Sequence, residues 1–293
     1  MSAVAAPPPS QAPLAAPPPA RDITGPSALG GGARRFANLT WMIASTDFRL
    51  TYFGSVLGYV WSLMRPVLTF GVMFLVFSRA LKLGHGIRDY PVLLLLNIML
   101  ITYFQEATGA SVTAVLNRES LVRKMHFPRM VIPLATVLTA AFNAVLNLFA
   151  VFIFLVAYGV NPRWSWLGLP LLLVLLTAFT CGVSMLLSSL YVRFRDVGQI
   201  WSVISQVLFY GSLVFFTIER IPGIGLRRLV LMNPIAATLQ QARHWIVDSH
   251  APSTAQAMGG GLWWMLPLGI GALVCVIGLL VFNHEAPRIA ERL

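Results

Sequence analysis

Apolar runs that approach or exceed the ~20 residues needed to cross a bilayer as helix recur along this chain, and they restrict it to one architecture. Hydrophobic residues make up 57% of its 293 residues and charged ones 11%, with a mean hydropathy of +0.75. Soluble domains carry about 25% charged residues, so the chain reads as an all-α, polytopic membrane protein. A net charge of +11 would suggest a nucleic-acid partner for a soluble protein. Here the basic residues stand at the ends of apolar runs, where membrane topology uses them, and no nucleic-acid partner is expected.

Residues 1–33 are rich in Ala, Pro and Gly, lack the apolar core of a signal peptide, and are expected to form a disordered cytoplasmic tail. Residues 34–64 interleave Leu39, Met42, Ile43 and Leu50 with Asp47, Arg49 and Thr51. This pattern suits an amphipathic interfacial helix, the alternative being a ragged start to the first span. Residues 65–283 are expected to form the membrane-spanning body, with six spans near 66–83, 91–116, 130–158, 167–191, 200–218 and 262–282. Between the last two, Pro222, Gly223, Gly225 and Asn233-Pro234 break residues 219–261 into pieces too short to cross, which predicts re-entrant or interfacial helices. Residues 284–293 are expected to be a short cytoplasmic tail. Basic residues favour both termini inside, but Arg220, Arg227, Arg228 and Arg243 then fall outside, against the rule.

Between the second and third spans lies the basic stretch Asn117–Pro133. Glu119 and Arg123 at i, i+4 support a short helix, with Leu121, Val122 and Met125 on one side and Pro128 as its stop. By spacing alone this is either a turn at the membrane surface or a knob for a soluble partner.

The sequence contains no G-x-x-x-x-G-K-[ST] phosphate loop, no H-E-x-x-H and no Cys/His cluster. No metal, cofactor or catalytic residue is therefore expected on this chain. Cys181 and Cys275 read as small apolar residues inside spans. Glu106, beside Gln105, is the acid expected deep in a span, and it suits either packing or a place near a substrate path. Aromatic residues recur on the first span at Tyr59, Phe70, Phe74 and Phe77, and on the fifth at Phe209 and Tyr210. Ser202, Gln206 and Tyr210 share a face at i, i+4, i+8. Rings mixed with amides and hydroxyls suit a sugar chain, although helix packing uses the same residues.

In order along the chain, Asp47, Arg49, Tyr52, Leu57-Gly58, Trp61 and Pro66 precede Asn117, Leu121, Arg123-Lys124, Phe127-Pro128-Arg129 and Pro133. Arg195-Asp196, Asn233-Pro234 and Arg243 follow. With this set, residues 39–282 resemble the permease subunit of polysaccharide-exporting ABC transporters, the type-2 class that handles O-antigen, teichoic acid or cell-wall galactan. Thr51 and Phe53 depart from the basic residues usual there, and Ser212–Phe216 lacks the usual proline.

The resemblance implies a plasma-membrane homodimer joined to two separate ATP-binding subunits, which would hold ATP and Mg and pass a lipid-linked glycan outward. It implies a coupling helix at Leu121, Val122, Arg123, Lys124, Met125, His126, Phe127 and Arg129, and a gate helix at Asp47, Arg49 and Tyr52. Tyr59, Phe70, Phe74, Phe77, Glu106, Ser202, Gln206, Phe209 and Tyr210 become candidate channel lining. Export of a drug or small lipid is the alternative cargo; a membrane glycosyltransferase or scaffold is the alternative class.

Overall fold

The computed structural model of the chain describes residues 32–52, 58–82, 84, 87, 89–119 and 128–292, and these are helical with no strand among them. The tail expected at 1–33, apart from its last two residues, lies outside the described residues, as does Leu121–Phe127. Among the described residues, five helical segments are long and apolar enough to cross a membrane: Leu63–Ala80, Tyr90–Ala114, Val131–Ala157, Trp164–Arg193 and Gly261–Ala286. The principal helices are α1 (Ala33–Tyr52), α2 (Gly58–Phe74), α3 (Tyr90–Ala114), α4 (Val131–Ala157) and α5 (Leu169–Arg193). They continue with α6 (Val197–Gly211), α7 (Ile224–Leu231), α8 (Pro234–Ala242), α9 (Thr254–Ala257) and α10 (Met265–Arg292).

The hub is α3. Pro91 sits in its first turn, where a missing N–H costs nothing. Apolar residues surround it on every side, which marks a helix meant for burial. Val92, Leu94, Ile98, Ile101 and Phe104 are completely shielded, and α2, α4, α5 and α6 pack around them. Lipid tails are as apolar as leucine, so this clustering rests on close packing and hydrogen bonds rather than on escape from water. The closest approach joins α5 to α10, where a Cβ on Gly278 would stand 2.2 Å from the Gly182 carbonyl oxygen.

Ala114, Met130, Ile132, Met185, Phe282 and Ala286 pack together, bringing the ends of α3, α5 and α10 to the start of α4. At the opposite end Trp166 Nε1 donates to the Ile246 carbonyl at 3.1 Å. The last helix, α10, runs on into the polar stretch at 284–293 and stays helical to Arg292.

The fifth expected span is the principal departure. Residues 200–218 read as one apolar run, yet α6 stops at Gly211 after 15 residues, about 22 Å at 1.5 Å per residue. Ser212–Phe215 follow in non-helical conformation, buried, with Leu213 at φ 60°. Their polar groups are met by side chains. Asn97 Nδ2 donates to the Leu213 carbonyl at 3.2 Å and lies 3.4 Å from that of Val214. The Tyr90 hydroxyl donates to the Phe215 carbonyl at 2.9 Å, and Asn233 Nδ2 to the Ser212 hydroxyl at 2.8 Å. Hydropathy records which solvent a residue prefers, and these residues do avoid water; it carries no information on whether their backbone is helical.

Residues 218–260 fold as short helices with strong local caps. Asn233 accepts from the Ile235 N–H at 3.0 Å ahead of Pro234, and Ser253 with Gln256 forms a reciprocal capping box. The arginines that ran against the topology rule find partners here. Arg243, 7% exposed, donates to both Glu219 carboxylate oxygens at 2.9 and 2.8 Å. Arg227 donates to the Ile221 carbonyl at 2.8 Å, and Arg228 to that of Met258 at 2.9 Å while lying over the Trp263 ring. Burial alone would raise the Glu219 carboxyl, but hydrogen bonds from Arg243, its own backbone and Thr217 hold it below the ordinary carboxylate range.

Two outcomes follow from these contacts. Asn97→Leu leaves the Leu213 carbonyl buried without its donor and should cost about 1–3 kcal/mol, read as a lowered Tm in detergent. Because Glu219 titrates lower folded than unfolded, its contribution is complete above its ordinary value of 4.5 and is lost as pH falls below it. Tm should therefore decline on the acid side more steeply for the wild type than for Glu219→Gln.

Candidate functional site

A concavity of about 480 Å³ opens between α2, α3 and α6. From α3 it takes Thr102, Gln105, Glu106 and Gly109, whose i, i+3, i+4, i+7 spacing is one face of a helix. The middle of α2 contributes Arg65, Pro66 and Thr69, and α6 contributes Gln206, Phe209 and Tyr210. Gln105 joins two walls, donating through Nε2 to the Ser205 carbonyl at 3.0 Å and to its hydroxyl at 3.1 Å. Arg65 and Glu106 thus place opposite charges on facing walls of one space, among amides and hydroxyls.

One end of this space is aromatic. Phe209 meets Tyr210 edge-on at 5.3 Å, Tyr210 stacks on Phe215 at 5.9 Å, and Phe77 stacks on Phe215 at 4.2 Å. The surface is therefore mixed. It offers ring faces and hydrogen-bonding groups side by side, the combination that a polyhydroxylated chain with apolar C–H faces can use.

Of the candidate lining residues, the structure gathers Glu106, Gln206, Phe209 and Tyr210 here. Ser202, one turn earlier on α6, is exposed, and its hydroxyl donates to the Gln199 carbonyl at 2.7 Å. Phe70 and Phe74 stack on each other at 5.8 Å and pack on the core, Phe70 against Phe154 of α4; like Phe77 they do not line the concavity. The side chains of Tyr52 and Tyr59 lie outside those described. Arg65, Thr69 and Thr102 are lining residues that sequence reasoning missed. The i, i+3, i+4, i+7 face of α3 was a readable signal for Thr102; nothing local identified Arg65.

A second constellation lies at the end where α3 finishes. Arg118, in the turn after α3, is hydrogen-bonded and ion-paired with Asp47 of α1. Arg129, just before α4, donates to the Ala286 carbonyl of α10, and Arg193 pairs with Glu285 at 3.7 Å. Helix α1 itself is pinned to α4 by Trp41 and Phe48, both edge-on to Phe142 at 5.2 and 5.6 Å. Arg49 is exposed on α1. Of the expected coupling residues only Arg129 is described; it and Arg118 flank 120–127 and tie that segment's two ends to α10 and α1.

Several apolar crossings around one mixed, partly charged concavity define a multi-pass membrane protein of the transport type. Residues 38–246 match the family model described as ABC-2 type transporter, and the chain belongs to that family. It is similar to the O-antigen export system permease protein RfbA of Klebsiella pneumoniae, 27% identical over 258 residues covering 87% of this chain and 94% of that protein. It is also similar to the protein of the same name from Myxococcus xanthus, 24% identical over 225 residues, 76% of this chain and 86% of that one.

The Asp47–Arg118 pair is open to a direct check. A double-mutant cycle with Asp47→Ala and Arg118→Ala, read by thermal unfolding in detergent, should give a coupling of about 1 kcal/mol, the upper part of the range for partly exposed pairs.

Proposed function

We propose that this chain is the membrane permease of an ATP-driven exporter that carries a lipid-linked cell-surface polysaccharide from the cytoplasm to the outer side of the plasma membrane. The observation that carries this reading is the concavity in which Arg65, Glu106, Gln206, Phe209 and Tyr210 converge, in a family member similar to O-antigen export permeases. A glycan chain presents hydroxyls to the amides and C–H faces to the rings, and its phosphate-bearing lipid anchor suits Arg65. No phosphate loop occurs in the sequence, so hydrolysis of ATP with Mg belongs to a separate subunit, two copies of which would join a homodimer of this chain.

In this reading both termini are cytoplasmic and α6, extended by the unwound 212–217, completes a sixth crossing. Hydrogen bonds from Gln105 to Ser205, Asn97 to Leu213 and Tyr90 to Phe215 support it, because they run antiparallel along the length of α3. Residues 219–261 then lie at the outer face. The Asp47–Arg118 end is cytoplasmic, α1 acts as the gate helix, and Leu121–Arg129 receives the push of the ATP-binding subunit.

Depleting the ATP-binding subunit should leave glycolipid on the cytoplasmic side; unchanged surface glycan would overturn the reading, and ATPase stimulation by small hydrophobes without a glycan defect would favour a drug or small-lipid exporter. In the same cells, Glu106→Gln and Tyr210→Ala should each lower surface glycan by about tenfold, ~1.4 kcal/mol of transport barrier, at unchanged membrane abundance. Charge reversal of Arg123 and Lys124 should reduce co-purification of the ATP-binding subunit.

A further inference from the structure

A second and larger cavity, about 610 Å³, lies between α5 and α10 and shares no lining residue with the concavity of α2, α3 and α6. Its origin is geometric. Gly182 and Gly278 bring α5 and α10 into backbone contact, and the two helices part toward their other ends, where α8 and α9 are set between them. The space left is walled by leucines of α5, by Phe179 and Trp245, by Trp264 just before α10, and by Leu268 and Gly271 in its first turns. Leu171, Leu175, Trp264 and Leu268 are also exposed on the outside of the bundle. The cavity therefore opens sideways from spans that face lipid.

Water is a poor occupant of such a space, because each buried water needs two to four polar partners. The polar lining is Thr238, Gln241 and Thr254. The Thr238 hydroxyl already donates to the Pro234 carbonyl at 2.8 Å and that of Thr254 to the Ala237 carbonyl at 3.0 Å. Gln241 accepts the Thr254 N–H at 3.1 Å through Oε1, which leaves its amide NH2 to offer. An apolar cavity of roughly 150 Å³ is enough to take up benzene. This one has about four times that volume, and exposed leucines of two apolar spans stand at its mouth.

We propose that the cavity between α5 and α10 is a lipid site, holding the acyl chain of a bilayer phospholipid with its ester end at the Gln241 amide. The chain fills the wedge that the Gly182–Gly278 contact opens and supplies the packing that α8 and α9 alone leave incomplete. The site lies apart from the proposed cargo path, so its occupant is a resident lipid and not the exported one.

Glycine positions on α10 make the test selective. A side chain at Gly271 enters the cavity without collision, since its Cβ would meet only Phe179 at 4.0 Å; Gly269, outside the cavity, has open space around it. Leucine at either position also favours helix over glycine. The full chain is purified in detergent, washed to strip loosely held lipid, supplied with palmitoyl-oleoyl phosphatidylethanolamine and weighed by native mass spectrometry. Wild type and Gly269→Leu should retain the phospholipid, while Gly271→Leu and Ala272→Phe should lose it. Retention by both filled variants, loss from Gly269→Leu as well, or no retained lipid in the wild type would each overturn the proposal.

Discussion

A backbone N–H or C=O shut away from water must find its partner inside the protein, and the structure turns on how that requirement is met where a helix breaks off in the buried interior. Four consecutive residues, Ser212–Phe215, leave helical geometry in the buried interior. The carbonyls of Leu213, Val214 and Phe215 and the Ser212 hydroxyl are answered by Asn97, Tyr90 and Asn233. Two of these donors stand on α3, the most enclosed helix, whose position is set by α2, α4, α5 and α6 around it. The break after α6 is thus held by the most enclosed of the apolar helices, and it folds the aromatic residues at 209, 210 and 215 into one cluster.

The same helix organises the candidate transport surface. Residues of α3 at one-turn intervals face the concavity, and Gln105 fixes α6 against it. At its far end the chain passes through Arg118 into 120–127, with Asp47 of α1 as the partner of that arginine. Arg118 is held to α1 and Arg129 to the Ala286 carbonyl of α10, so the described residues on either side of 120–127 are anchored on two different helices.

Local chemistry holds the arginines of residues 220–243, the charges that ran against the expected orientation. The positive-inside bias concerns charges free to interact with the membrane surface during insertion. Arg243 forked on Glu219, Arg227 on backbone carbonyls and Arg228 on Met258 and Trp263 have their donors engaged in a folded cap. Sequence counting sees only the charges. Their pairing becomes visible once α7, α8 and α9 are folded around them.

Composition and period alone determined that this is an all-helical chain with long apolar crossings, an amphipathic first helix and a fragmented region before the last span. Those properties follow from each residue's own preference for solvent, which a sequence states directly. The face of α3 carrying Thr102, Gln105, Glu106 and Gly109 was legible for the same reason, and so was the Gln206–Tyr210 side of α6. What belonged to the tertiary structure was which of the aromatic residues face the concavity. Phe70, Phe74 and Phe77 share a spacing with one another yet are claimed by packing against α4 and Phe215. The unwinding after Gly211, the entry of Arg65 opposite Glu106, and the wedge between α5 and α10 were also decided there. Each depends on a contact between residues distant in sequence, such as Asn97 with Leu213 or Gly182 with Gly278, and no local pattern encodes which distant backbone will arrive.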